Sequence, residues 1–111
     1  MNERHTKARE AFMHLAAEFL KEESNRTSLI TVTGASLSPS MLHGTIYVTI
    51  FPETDEKHAL EFLGRQRDNF REFLKDHTKA RAIPNFAFQI DPMEKDRIHL
   101  DETLRNAGKK E

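Results

Sequence analysis

Residues 29–51 have the sequence LITVTGASLSPSMLHGTIYVTIF, which predicts two antiparallel β-strands joined by a short polar connection. Both halves are rich in β-branched residues and alternate with a period of two. In the second half, Ile46, Val48 and Ile50 point to one face of the strand. Because an isolated hairpin is only marginally stable in water, we expect helices to cover this face.

The apolar pattern of the first strand shifts by one residue at Thr33-Gly34. Ile30 and Val32 lie at even positions, whereas Ala35, the next apolar residue, lies at an odd one. A β-bulge absorbs such a shift, and glycine tolerates its backbone geometry. We therefore predict a bulge at this point.

An amphipathic helix is predicted before the hairpin, from Thr6 to about Glu22. Apolar residues recur in this stretch at the i, i+3, i+4 and i+7 positions of one helical face. Met1–Arg4 precede the pattern, so we expect them to lie outside the helix. The buried positions are Ala8, Phe12, Leu15, Ala16, Phe19 and Leu20.

A second helical pattern follows Pro52 and continues to about His77. Thr54 is the expected N-cap, with acidic residues in the first turn. Gly64–Asn69 contains no apolar side chain where the buried stripe should continue, and glycine costs about 1 kcal/mol relative to alanine inside a helix. We therefore predict a kink or break there, which gives two shorter helices.

A third strand is predicted at Phe86–Ile90, where apolar and polar residues alternate again. The stretch from Lys95 to Asn106 has a weaker helical pattern. The order α-β-β-α-α-β with a weak C-terminal helix predicts an α+β fold, a two-layer sandwich of helices and sheet. At 111 residues the chain fits one domain, residues 1–111, with an ordered core at about 6–92 and a C-terminal tail at 93–111.

The composition describes a small, heavily charged domain, since 37% of the residues are apolar and 32% are charged. The chain has no cysteine, which excludes disulfides and favours a reducing compartment. The N-terminal stretch carries charges throughout, so we expect no signal peptide or membrane span and predict a cytoplasmic protein. A net charge of -1 argues against bulk attraction to nucleic acid, although a local basic patch can still bind RNA.

Patterns for catalysis and metal binding are absent from the sequence. None of the six histidines has another at the i, i+4 spacing that presents a pair to zinc. No serine lies in a nucleophile elbow, and four dispersed glycines cannot form a phosphate-binding loop. We therefore expect no enzymatic activity, no bound metal and no cofactor.

Basic residues are concentrated between residues 65 and 81. On a continuous helix one basic stripe would run beside an acidic one, because four of the basic residues recur at i+4 spacing. These four are Arg67, Arg71, Lys75 and Lys79. One interpretation is that the two stripes bond to each other on a solvated surface. The other is a phosphate-facing ridge that begins at the predicted kink. The cations are Arg65, Arg67, Arg71, Lys75, Lys79 and Arg81, and the acids are Asp68, Glu72 and Asp76.

Four local strings carry a family resemblance in their order and spacing. They are LITVTGASLSP at 29–39, HGTIYVT at 43–49, RAIP at 81–84 and FAFQID at 86–91. These strings are similar to those of the ribosome-binding factor A family, bacterial proteins with a type II KH-like fold. The likeness covers about Ala8 to Leu104.

The resemblance implies a non-enzymatic factor that binds the small (30S) ribosomal subunit through 16S rRNA near the decoding region. It further implies a role in late subunit maturation and 5′-end processing, for a cytoplasmic monomer without membrane contact. The residues that would then contact phosphate are the six cations from Arg65 to Arg81. His43 and Tyr47 have either a binding role or a plain role on the hairpin surface.

The sequence departs from KH domains at the junction of the two central helices. An ordinary KH domain clamps nucleic acid there with a Gly-x-x-Gly loop. Gly64 opens the segment, but Arg67 stands at the position of the second glycine. The family has a kinked Ala-x-Gly junction instead, and counting back from Pro84 places Gln66, Arg67 and Asp68 there. Gly64 is then a displaced substitute for the small residues.

A second hypothesis comes from another class of function. The chain would be a protein-interaction domain whose exposed strand edge or sheet face accepts a peptide, with no role in RNA binding. Charge reversal of the basic residues would then be harmless, whereas proline at the edge of the third strand would abolish binding.

Overall fold

The structure is a computed structural model that describes residues 3–23, 29–79 and 82–92. Within these ranges three helices and three strands follow the predicted order α-β-β-α-α-β. A short 3₁₀ helix at Glu53–Asp55 precedes the second α-helix. The other elements are α1 Glu3–Glu23, β1 Leu29–Leu37, β2 His43–Phe51, α2 Glu56–Arg65, α3 Arg67–His77 and β3 Asn85–Ile90.

The three strands form one sheet in the order β1-β2-β3, so β2 is the central strand. β1 and β2 pair antiparallel, and their register shifts between Val32 and Gly34, which confirms the predicted bulge. Gly34 has no positive φ, however. The bulge therefore does not depend on the conformational freedom of glycine.

β3 pairs parallel to β2, so α2 and α3 form the crossover between these two strands. Ile46 and Val48 of β2 are fully buried, because the helices pack on that face of the sheet. Thr45, Tyr47 and Thr49 point the other way and are half-exposed, and we call their side the outer sheet face. The predicted two-layer α+β sandwich is thus confirmed.

Aromatic rings join the helices to the sheet. Phe70 of α3 lies 5.2 Å from Phe19 of α1 and 5.7 Å from Phe86 of β3, measured between ring centroids. Phe12 of α1 packs on Phe86 at 5.3 Å, and all four rings are buried. Tilted pairs at such distances each contribute about 0.5–1.5 kcal/mol beyond their buried area. This cluster fixes α1 and α3 on β3.

The predicted break in the second helical pattern is confirmed, and it occupies one residue. α2 ends at Arg65 and α3 begins at Arg67, with Gln66 at φ -89° and ψ -1° between them. The Gln66 N–H donates to the carbonyls of Phe62 and Leu63 at 3.1 and 3.0 Å, which tightens the last turn of α2. The junction therefore keeps its hydrogen bonds without a glycine loop.

Two details of the helical predictions were wrong for physical reasons. Gly64 does not substitute for the small residues of the family's junction, because it is an exposed residue inside α2 and the junction lies at Gln66. α1 begins at Glu3, earlier than Thr6. The ring of His5 is buried, and its Nε2 donates to the Ser38 carbonyl at 3.2 Å, so a tertiary contact stabilises this first turn.

The predicted N-cap of the second helix was also wrong. Thr54 lies inside the 3₁₀ helix, and Asp55 is the residue that precedes α2. The Asp55 N–H donates to the Pro52 carbonyl at 3.0 Å, so a backbone turn holds this entry. The predicted C-terminal helix, Lys95 to Asn106, lies outside the described residues. No helix in the described ranges combines the length and apolar character that a membrane span requires.

Candidate nucleic-acid interface

Two adjacent depressions lie between α3 and the segment that leads into β3. The first has a volume of about 300 Å³ and the second about 600 Å³. Arg71 and Asn85 line both, so the depressions form one continuous groove, which we call the α3 groove. Its lining includes Leu42, His43, Arg67, Asp68, Arg71, Lys75, Ile83, Pro84, Asn85 and Phe86.

Arg67 is held in place by the edge strand of the sheet. Its Nε donates a hydrogen bond to the Phe86 carbonyl at 3.0 Å. The N–H groups of Asn85 and Asp91 donate towards β2, so the backbone groups of the even-numbered residues between them point to the free edge. A guanidinium has five N–H donors, so one bond fixes the group while others remain available to a ligand.

Arg71 lies one turn further along α3 and is half-buried. Its Nη1 donates to the side-chain oxygen of Asn85, the first residue of β3. Because the Asn85 amide is neutral, this bond orients the guanidinium without cancelling its charge. The groove therefore contains two arginines that are oriented before any ligand binds.

The remaining cations are less constrained. Lys75 lies 3.3 Å from Glu72, and both side chains are at least half-exposed, so this pair contributes at most about 1 kcal/mol. Arg65 and Lys79 are exposed, and neither has a hydrogen-bond or ion-pair partner among the described residues. Arg81 lies outside the described residues.

The basic and acidic stripes do not neutralise each other. In the described part of the chain, Lys75 with Glu72 is the one ion pair between them, while Arg67 and Arg71 bond to β3 instead. Asp68 is exposed and lines the α3 groove, so it brings a negative charge to the same surface. The local balance in the groove still favours an anion, because two arginines, Arg67 and Arg71, face Asp68 while Lys75 pairs with Glu72.

The groove also contains residues that sequence reasoning did not assign to the site. Asn85 orients Arg71, and Leu42 with Ile83 supplies an apolar wall. No spacing pattern links these residues to α3, since they come from distant parts of the chain. Of the two hairpin candidates, His43 lines the groove, whereas Tyr47 lies on the outer sheet face.

A family model described as Ribosome-binding factor A matches residues 4–104. The chain belongs to the ribosome-binding factor A family. The family member from Tropheryma whipplei (strain Twist) is 30% identical over 84 residues, which cover 75% of this chain and 42% of the relative. The member from Corynebacterium aurimucosum is 27% identical over 90 residues, which cover 77% of this chain and 61% of the relative. The chain thus spans less than two thirds of either relative's length.

Solved structures of this family share the fold. A crystal structure of ribosome-binding factor A from Thermus thermophilus matches with a TM-score of 0.69 at 23% identity, over 78% of this chain and 94% of that one. A homology model of the Thermus thermophilus factor, fitted into a cryo-EM map of a 30S–RbfA complex, matches with a TM-score of 0.64 at 23% identity. That match covers 81% of this chain and 93% of the other. The KH-like fold is therefore common to these proteins.

Proposed function

We propose that this chain binds the small ribosomal subunit through 16S rRNA and assists its late maturation, including processing of the 5′ end. It acts as a non-enzymatic cytoplasmic monomer, with residues 1–111 as a single KH-like domain. Membership in the ribosome-binding factor A family supports this proposal, as does the 30S complex in which the Thermus thermophilus factor was fitted. The observation that carries it for this chain is the α3 groove with its uncompensated arginines.

The chemistry of the groove suits an RNA backbone. Arg67, Arg71 and Lys75 line the α3 groove. Arginine binds phosphate bidentately, whereas lysine acts as a point charge. The bonds to Phe86 and Asn85 hold the two guanidinium groups before binding, so less side-chain entropy is lost when the RNA arrives. Arg65 and Lys79 extend the basic surface beyond the two ends of this row, and Arg81 completes the proposed set.

The apolar wall of the groove complements the basic row. Leu42 is 57% exposed at the rim, and Ile83 and Pro84 follow on the same side. Unstacked bases in RNA loops offer apolar faces as well as phosphates. RNA in the groove would therefore place its phosphates along α3 and its bases against this wall.

Cosedimentation with purified small subunits tests the proposal. At low salt the wild-type chain should pellet with the subunits, and Arg71→Glu/Lys75→Glu should not, because two attractive charges become repulsive. Lys21→Glu/Lys57→Glu is the matched control, since both lysines are exposed and neither lines the α3 groove. Failure of the wild type to pellet, or equal pelleting of all three proteins, would overturn the proposal.

The alternative function, peptide binding at the sheet edge, has less support. The Phe86 carbonyl on the free edge of β3 already accepts a bond from Arg67. A peptide that added to this edge would have to displace that bond. The contacts at β3 therefore favour the RNA-binding proposal.

A further inference from the structure

An apolar pair stands on the outer sheet face, away from the helices. Leu29 and Phe51 are directly opposite each other in the β1–β2 register and are 64% and 73% exposed. Side chains at opposed positions lie about 4.5–5.5 Å apart at Cβ, so the two form one continuous apolar patch. Thr31 and Thr49 form the next pair on the same face. Contiguous exposed apolar area is more typical of a contact surface than apolar residues that are exposed singly.

The chain leaves β3 beside this patch. β3 runs parallel to β2, and Ile90 lies level with Val48. Both strands advance by about 3.3 Å per residue in the same direction, so the chain approaches the level of Phe51 as it passes Pro92. Asp91 is fixed there by its N–H bond to the Val48 carbonyl and by a hydrogen bond from the Thr33 hydroxyl.

The segment that follows Pro92 carries apolar side chains that could cover the patch. Residues 93–104 have the sequence MEKDRIHLDETL, with four apolar side chains. The family match continues to residue 104, beyond Pro92. The other segment that leads to this end of the sheet, residues 24–28, has the sequence SNRTS and no apolar side chain. The apolar residues of the first segment are Met93, Ile98, Leu100 and Leu104.

We propose that residues 93–104 dock on the outer sheet face and bury Leu29 and Phe51 with their apolar side chains. Twelve residues span up to about 40 Å when extended and about 18 Å when helical, so the segment reaches the patch in either form. The outer sheet face lies on the opposite side of the sheet from α3, so this proposal is independent of RNA binding in the α3 groove.

A single tryptophan tests the docking directly, because the chain contains none. Phe51→Trp places the fluorophore in the patch of the full-length protein. We expect its emission to shift to longer wavelength, and its quenching by iodide to rise, when Leu100→Asp/Leu104→Asp is added. Thr103→Asp/Asn106→Asp is the matched control, since it adds the same charge without removing apolar side chains. Equal emission in the three proteins would overturn the proposal.

Three further measurements provide a control, test for a second copy of the chain as the occupant of the patch, and guard against misfolding of the variants. Leu42→Trp reports from the other end of the sheet and should not respond to either pair of substitutions. Emission of Phe51→Trp that shifts to longer wavelength on dilution would assign the patch to a second copy of the chain and overturn the proposal. If Phe51→Trp fails to fold, backbone amide shifts of Thr31 and Thr49 should change between wild type and Leu100→Asp/Leu104→Asp. Unchanged shifts would contradict docking.

Discussion

Of the glycines in the described residues, Gly44 has the least room for a side chain. A Cβ at this position would meet the Phe86 ring and would lie 2.9 Å from the Ser36 carbonyl oxygen, which belongs to the backbone and cannot easily move. We expect Gly44→Ala to lower the free energy of unfolding by about 1–3 kcal/mol, as overpacking does. Urea denaturation measures this change.

Gly64→Ala is the control for that substitution. A Cβ on Gly64 meets no atom within 4 Å, and the residue is helical. Alanine should therefore raise the free energy of unfolding by about 0.5–1 kcal/mol. If both variants shifted stability in the same direction, the positions of these two glycines would be described wrongly.

Arg67 combines a structural bond with a positive charge, and a conservative change separates the two. Arg67→Lys keeps the charge but cannot reproduce the Nε bond to the Phe86 carbonyl together with the guanidinium fork. We expect a loss of about 1 kcal/mol in stability, the usual net value of such a bond. Arg65→Lys should stay within about 0.5 kcal/mol, because the structure gives Arg65 no such bond. Thermal denaturation of both variants measures these changes. Equal losses of stability would contradict a stabilising role for the hydrogen bond between Arg67 and the Phe86 carbonyl.

The position of α3 depends on its buried face. The side chain of Leu74 projects from α3 into the core and is fully buried, whereas Leu42 on the hairpin turn is 57% exposed. Leu74→Ala should therefore cost about 2–5 kcal/mol, since it removes buried atoms and leaves a cavity. Leu42→Ala should cost no more than about 0.5 kcal/mol. Chemical denaturation distinguishes the two, and similar costs would mean that α3 is not packed as described.

The sequence predicted the elements well because each has a strong local period. The alternation in β2 and the stripe of α1 follow from their buried faces, and the bulge follows from the phase shift at Gly34. The start of α1 was missed because it depends on a contact between His5 and Ser38, which are distant in sequence. The break was predicted in the segment Gly64–Asn69, and the structure has it there as a single tight turn at Gln66.

The sequence predicted only the part of the candidate site that lies on α3. The i+4 spacing of Arg67, Arg71 and Lys75 put them on one side of α3, where the structure has them lining the groove. The opposite wall comes from the parallel pairing of β3 with β2, which no local pattern reveals. Asn85 therefore joined the site without any signal in the sequence, whereas the family resemblance had already made His43 a candidate.

The whole molecule combines a nearly neutral charge with one locally basic surface. With a net charge of -1, long-range attraction to RNA is weak, so in the proposed complex the affinity has to come from the few phosphates that the α3 groove would contact. The groove lies on the helical side of the sheet. The two sides of the domain are thus available for different contacts.

The salt dependence of binding to small subunits tests the claim that the α3 groove contacts rRNA phosphates. Each phosphate interaction that a substitution removes makes the slope of log K against log salt shallower by about 0.7–0.9 units. Arg71→Gln/Lys75→Gln should therefore give a slope about 1.5 units shallower than wild type, whereas Lys21→Gln/Lys57→Gln should leave it unchanged. A wild-type slope retained by Arg71→Gln/Lys75→Gln would contradict the account.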